Sequence, residues 1–292
     1  MHPSARFRRS GAALALIATL LLSHGTARTA TAPGATPAPA ASPAEPLVFA
    51  ETFTIESRAL GETRRVNVYR APSWEDSASS PRPVLYMPDG GLAEDFLHVA
   101  GLLQVSIGNG SMRPMLLVGI ENTQRRRDLT GPSDDPRDLA IAPKVGGSEA
   151  FRAFLRDELF PAIRARYPVT DERAIVGESL AGLFVVETLF EEPALFDTYV
   201  ALDPSLWWRR EALVRAPLPK LDRAKRLYLA SSGEPELARL TRALAERIAR
   251  ERSAKLACTY EPLPAETHGT IYHPAALSAF RRLFAPDTTA RR

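Results

Sequence analysis

The stretch Arg173–Phe184, RAIVGESLAGLF, sets the tightest constraint on how this chain can fold. Ala174–Val176 is an apolar run too short for a helix and reads as a buried strand. Gly177, Glu178, Ser179, Leu180, Ala181 and Gly182 follow, and an apolar run then reaches Phe190. The pattern predicts a strand, a sharp turn and a helix with a serine at the apex. A serine on such a turn stands clear of the sheet only if its neighbours at minus two and plus two are small, because larger side chains collide across the turn. Gly177 and Ala181 meet that need, and Gly182 lets the helix lie close to the strand. The helix N-terminus then faces the serine, so free amides point at developing negative charge. A Gly-Ser turn ahead of a helix also arises as a plain N-cap. The strand on one side and the helix on the other favour the nucleophile geometry.

The rest of the chain alternates strand and helix around this turn. Leu47–Ser57 and Arg64–Tyr69 alternate apolar and polar residues and predict a hairpin closed around Gly61. Short apolar runs at Val84–Met87, Met115–Ile120, Thr198–Leu202, Arg226–Ala230 and Lys255–Glu261 read as further strands. Ser148–Arg166 places Phe151, Phe154, Leu155, Leu159, Ala162 and Ile163 on one helical face, with a bend expected near Pro161. Glu236–Ser253 spaces Leu237, Leu240, Leu244 and Ile248 along one face, and Pro274–Phe284 predicts a closing helix. This alternation implies an α/β fold: a mostly parallel sheet of about eight strands with helices on both faces and the hairpin as an antiparallel edge.

Of the 292 residues, 45% are hydrophobic and 24% charged, which suits one globular domain, here 47–286, with appendages. Three of the positive charges are Arg6, Arg8 and Arg9, and residues 1–27 carry no acid, so a chain cut after Ala27 is formally neutral. No basic face is implied, and nucleic-acid binding has no support. The basic residues followed by apolar Gly11–Leu22 read as a signal peptide over 1–27, with Gly25 and Ala27 at minus three and minus one of the cut. An exported protein is expected, periplasmic or secreted, with no stable membrane insertion after cleavage; an uncleaved N-terminal anchor is the other reading. The Ala/Thr/Pro-rich 28–46 reads as a disordered linker, and 287–292 as a frayed tail. The single cysteine, Cys258, excludes an intramolecular disulfide and reads as a buried strand residue. The histidines show no short ligand spacing with cysteine or acid, so neither a metal nor a cofactor is expected.

A serine hydroxyl needs a base at neutral pH. His268 follows the last strand, with Gly269 beside it leaving room for the ring; His98 and His273 fall on helical stretches and read as structural. The acid that orients the imidazole is expected after the strand Arg226–Ala230, where Glu234 and Glu236 both qualify. Glu236 is preferred because it opens the next helix, and Asp203, one strand earlier, is a further candidate. The amide of Leu180 and one from Gly90 or Gly91, in the turn after Val84–Met87, would hold an oxyanion. Pro88-Asp89-Gly90-Gly91 would also make an ordinary turn. Arg125 and Arg127 lie in a polar loop at a strand's carboxyl end, where ligands bind in open sheets. Trp207 and Trp208 either line a cleft or cap the core.

Several segments together resemble the Putative esterase family of α/β-hydrolases, in its enterochelin (ferric siderophore) esterase-like branch. They are PVLYMPDGG, VGIENTQRRRDLTGP, GGSEAFRAFLRDELFPAIRARYP, RAIVGESLAGLF, LFDTYVALDPSLWW and ETHGTIYHPAALSAFRRLF, spanning about Pro83 to Phe284. The resemblance implies carboxylic ester hydrolysis through an acyl-enzyme on Ser179 with His268 as base, on a siderophore-type or other small ester. An anionic ferric catecholate would be drawn to Arg125, Arg126 or Arg127. The chain departs from the family pattern at Ala181 (usually glycine), Gln124 (commonly aspartate) and Asp203 (commonly serine). An acyltransferase of the same superfamily and an inactive binding protein keeping the fold are the alternative readings.

Overall fold

The structure is a computed structural model and describes residues 42–286 apart from 75, 142 and 143. The expected signal peptide, most of the linker and the tail at 287–292 lie outside the described residues. The chain divides into two units, Met1–Leu47 and Val48–Arg292. In the first, residues 42–47 carry no regular secondary structure.

In the second unit, one sheet contains eight strands among the described residues: β1 (Glu51–Ser57), β2 (Glu62–Arg70), β3 (Arg82–Pro88), β4 (Leu116–Ile120), β5 (Val169–Glu178), β6 (Thr198–Leu202), β7 (Lys225–Ser231) and β8 (Leu256–Pro262). Their order is β1-β2-β4-β3-β5-β6-β7-β8. β1 pairs antiparallel with β2 and β2 with β4; every other pair is parallel. The hairpin turns at Gly61, whose φ of +66° suits a residue without a Cβ. The chain leaves β3 for β4 on one side, while β5 lies on the other, so the strand order switches at β3, and ligands of open α/β sheets bind outside the carboxyl ends at such a point.

Two-residue periodicity sends alternate side chains of the central strands to opposite faces. Val84, Tyr86, Ile175, Tyr199, Ala201, Leu227 and Leu229 join one core. Leu85, Met87, Ala174, Val176, Val200, Leu202, Tyr228 and Ala230 join the other. Among the described residues the helices are α1 (Phe96–Gly108), α2 (Arg125–Asp128), α3 (Pro136–Ile141), α4 (Ser148–Phe154), α5 (Phe160–Arg166), α6 (Leu180–Glu191), α7 (Trp208–Arg215), α8 (Pro235–Glu251) and α9 (Tyr272–Leu283). Residues of α4, α5, α6 and α8 pack into the first core, and α1 and α9 close the second. Helices therefore cover both faces, as the alternation of elements predicts. No helix of the described residues is long and apolar enough to cross a membrane.

The helix expected over 148–166 departs from regular geometry earlier than Pro161. A π-helical turn, Leu155–Leu159, separates α4 from α5. Proline has no amide, and its ring clashes with the carbonyl four residues back in a regular helix. Widening the preceding turn accommodates the proline while keeping Phe151, Phe154, Leu155, Leu159 and Ile163 buried. Cys258 is half-buried on β8, and burial pushes its thiol up to about 12, so it is no nucleophile at neutral pH.

Candidate active site

Ser179 occupies the turn between β5 and α6 with φ 61° and ψ −121°. A non-glycine residue there costs on the order of 1–3 kcal/mol and persists only where its surroundings enforce it. The Ser179 amide donates to the Leu202 carbonyl (3.1 Å), and the Ser179 carbonyl accepts from Leu183 (2.9 Å) and Ser205 (3.1 Å). The small neighbours are required, as the sequence implies. A Cβ on Gly177 would lie 2.6 Å from the Ala181 carbonyl carbon, and one on Gly182 would lie 3.0 Å from the Leu202 oxygen.

His268 lies in the loop between β8 and α9, on a turn closed by the Thr270 amide donating to the Thr267 carbonyl (3.1 Å). Its Nε2 is 3.0 Å from Ser179 Oγ. A Cβ on Gly269 would meet nothing within 4 Å, so the ring does not owe its reach to that glycine. On the far side of the ring, Nδ1 lies 2.8 Å from Asp203 Oδ2. With Nδ1 donating to the carboxylate, a neutral imidazole presents Nε2 as acceptor to the serine hydroxyl.

The acid beside His268 is thus Asp203, and the preference for Glu236 or Glu234 is corrected. Glu236, in the first turn of α8, points to Arg137 (2.9 Å) and is exposed. Glu234 is also exposed and acts on the imidazole through its charge alone. Strand order explains the outcome. β6 lies between β5 and β7, and the register pairs Glu178 with Leu202, so the next residues, Ser179 and Asp203, emerge side by side. Asp203 turns out of β6 with φ 44° and is fully buried. Ser232, just past β7, secures it: the Ser232 amide donates to Oδ1 (2.9 Å) and its hydroxyl to Oδ2 (2.7 Å). The hydrogen bond to Asp203 raises the His268 pKa above 6.5; burial opposes this, and the charges of Glu178, Asp203 and Glu234 reinforce it.

Sequence reasoning missed one residue of this cluster, Glu178. Its Oε1 lies 3.2 Å from His268 Nδ1, its side chain is only 16% exposed, and that oxygen accepts no hydrogen bond. Burial pushes the Glu178 carboxyl up to about 7; His268 and Arg125 pull it down, while Asp203 and Asp89 push it further up. The available signal was a carboxylate ending a buried strand, immediately before the serine. Glu178, Asp203 and His268 each place one atom able to ligate a metal ion within 4.8 Å of the others. The imidazole nitrogen facing the two carboxylates is already engaged by Asp203.

The Leu180 amide opens α6 and so has no intrahelical acceptor. The two glycine amides are committed elsewhere, which corrects the expectation for them. Gly90 donates to the Ile120 carbonyl (3.0 Å), extending the ladder between β3 and β4, and Gly91 donates to Glu94 Oε2 (2.7 Å). Gly90 is needed for packing, since a Cβ there would lie 2.2 Å from the Ile120 nitrogen.

The expected substrate-contacting residues are mostly engaged by the protein itself. Arg125 holds Asp89 through two hydrogen bonds, of 2.6 and 2.8 Å. Arg127 pairs with Asp128 (2.6 Å) and Glu62 (2.9 Å), and Arg126 donates to the Ile141 carbonyl (2.6 Å). Arg125 is the one whose charge reaches the site, where it acts on Glu178. Trp207 is half-buried under the Arg137 guanidinium, 5.4 Å from its ring centre. Trp208 is buried and donates to the Gly131 carbonyl (3.1 Å), so one of the pair caps the core.

A mostly parallel eight-stranded sheet covered on both faces, with a serine elbow after β5 and a histidine after β8, defines an α/β-hydrolase fold. The chain belongs to the Putative esterase family, whose model matches residues 57–278. It is 31% identical over 180 residues to the siderophore triacetylfusarinine C esterase of Aspergillus fumigatus, covering 56% of this chain and 58% of that one. It is 30% identical over 150 residues to the ferri-bacillibactin esterase BesA of Bacillus subtilis, covering 46% and 51% respectively. The match thus spans little more than half the length of either relative. An IroE-like serine hydrolase of Shewanella oneidensis superposes with a TM-score of 0.70 at 28% identity, covering 80% of each chain.

Proposed function

We propose that this protein is a serine hydrolase that cleaves carboxylic esters through an acyl-enzyme on Ser179. The observation that carries the reading is the relay Ser179 Oγ, His268 Nε2, His268 Nδ1, Asp203 Oδ2, with steps of 3.0 and 2.8 Å. Ser179 Oγ attacks the ester carbonyl carbon while His268 Nε2 takes its proton. Asp203 holds the ring in the tautomer that leaves Nε2 free and stabilises the imidazolium once it forms. The Leu180 amide faces the developing oxyanion. His268 returns its proton to the departing alcohol, then activates a water that releases the acid and restores Ser179.

For substrate we propose a small siderophore-type ester, supported by membership of the family and by the siderophore ester hydrolysis for which the two relatives are named. Arg125 and Arg127 lend this little support, because their charges are matched by carboxylates. We further propose export to the periplasm or medium, supported by Arg6, Arg8 and Arg9 ahead of the apolar Gly11–Leu22.

The direct test is covalent labelling by a fluorophosphonate probe together with hydrolysis of short-chain p-nitrophenyl esters. Both are expected in the native protein and absent in Ser179→Ala. A native protein inert to both refutes the reading. A panel of ferric siderophore esters, feruloyl and acetyl sugars and thioesters then identifies the substrate class. Glycerol or sugar acceptors in the same assay distinguish hydrolysis from acyl transfer.

A further inference from the structure

We infer that Glu178 is a second positioning acid for His268, able to take over Nδ1 when Asp203 does not hold it. The inference rests on the serine hydrolase reading for its activity arm only. Two carboxylate oxygens converge on one ring nitrogen, Asp203 Oδ2 at 2.8 Å and Glu178 Oε1 at 3.2 Å. They arrive from adjacent strands: Glu178 ends β5, and Asp203 follows the end of β6. A donor with one hydrogen can satisfy one of them well, and the hydrogen bond goes to Asp203. Glu178 Oε1 is left buried and without a hydrogen bond. A buried polar oxygen in that state is costly, and such exceptions call for an explanation.

Both oxygens already lie within 3.2 Å of Nδ1, so its hydrogen can turn from Asp203 to Glu178. The groups facing Glu178 agree with this role. His268 and Arg125 favour its anion, whereas Asp203 and Asp89 disfavour it. Removing the Asp203 charge therefore makes Glu178 a better anion and a better acceptor at the moment it is needed. Asp203 itself stays tied to Ser232 whichever carboxylate the ring faces.

The test compares Asp203→Ala, Glu178→Leu and the double variant at pH 8, reading kcat and KM on a p-nitrophenyl ester. Loss of a sole orienting acid lowers kcat by about 10⁴-fold. With Glu178 able to substitute, Asp203→Ala is expected to lose only roughly 10- to 100-fold, one weakened hydrogen bond's worth. Glu178→Leu alone loses no more than about threefold, because Asp203 still holds Nδ1. The double variant drops by about 10⁴, well beyond the product of the two, with KM little changed. Asp203→Ser, which keeps an oxygen for the Ser232 amide, carries the comparison should the alanine variant be unstable. Glu178→Gln in the Asp203→Ala background retains an acceptor and is expected to recover part of the loss.

A proton NMR spectrum reads the same contact without any turnover. The low-field His268 Nδ1–H resonance is expected to persist in Asp203→Ala and to vanish in the double variant. Full loss of both resonance and activity in Asp203→Ala alone overturns the inference, as does a double variant no worse than the product of the singles. An inert native protein that still shows the two-step NMR behaviour refutes the hydrolase reading and leaves the role of Glu178 standing.

Discussion

Replacing Glu178 by glutamine should stabilise the protein by an amount that grows as pH rises from 4.5 to about 7 and is complete above that. Burial raises the Glu178 carboxyl from its ordinary 4.5 to about 7. The native state therefore binds this proton more tightly than the unfolded chain. Between those two values the folded protein holds more protons, so stability falls as pH rises through that window and stays lowered above it. At about 1.4 kcal/mol per pH unit, the difference between 4.5 and about 7 corresponds to a penalty of about 3 kcal/mol on the ionised side chain. Glutamine has the same shape and no charge, so it escapes the penalty at pH 8.5 and gains nothing at pH 4, where Glu178 is already neutral. Urea unfolding of both proteins at the two pH values gives the difference directly. The expected result is a gain near 3 kcal/mol at pH 8.5 and near zero at pH 4. Equal gains at both, or none at either, would show that Glu178 ionises freely and that its setting is far more polar than the buried geometry implies.

Ser179→Ala should remove ester turnover by about a millionfold while leaving the unfolding midpoint at or above that of the native protein, because alanine loses only the hydroxyl; retained turnover would exclude an acyl-enzyme at this position. Gly177→Ala should destabilise by about 2 kcal/mol or more and depress kcat, since its Cβ would sit 2.6 Å from Ala181 backbone, and thermal unfolding checks this. Glu236→Ala should leave kcat unchanged and stability within about 0.5 kcal/mol, because that side chain reaches only Arg137 at the surface. The acid limb of kcat/KM should report His268 losing its proton above pH 6.5 and should move down in the variant lacking both Asp203 and Glu178, where no carboxylate is left to raise the imidazole.

Much of the architecture was readable in one dimension because it follows from local rules. The small residues at 177, 181 and 182 are demanded by the elbow itself, so the turn announces its own geometry around Ser179. Period-two alternation and apolar runs located the strands, although β5 begins at Val169, well before the expected Ala174, and the hairpin closed at Gly61 as expected. His268 was legible by its place after the last strand.

What escaped the sequence depends on which groups lie beside each other across the sheet. Nothing in the order of residues says that β6 sits between β5 and β7, yet that order makes Asp203 the carboxylate next to His268 and leaves Glu236 facing Arg137. The amides of Gly90 and Gly91 look free in sequence and are consumed by Ile120 and Glu94. Arg125 and Arg127 look like a ligand's cations and are neutralised by Asp89, Asp128 and Glu62. Glu178, invisible inside a motif defined by its glycine and serine, has its pKa raised by burial, against the pull of an imidazole that arrives from far along the chain. Steric demands within a turn are written locally, whereas hydrogen bonds and charges between strands are decided only when the sheet is assembled.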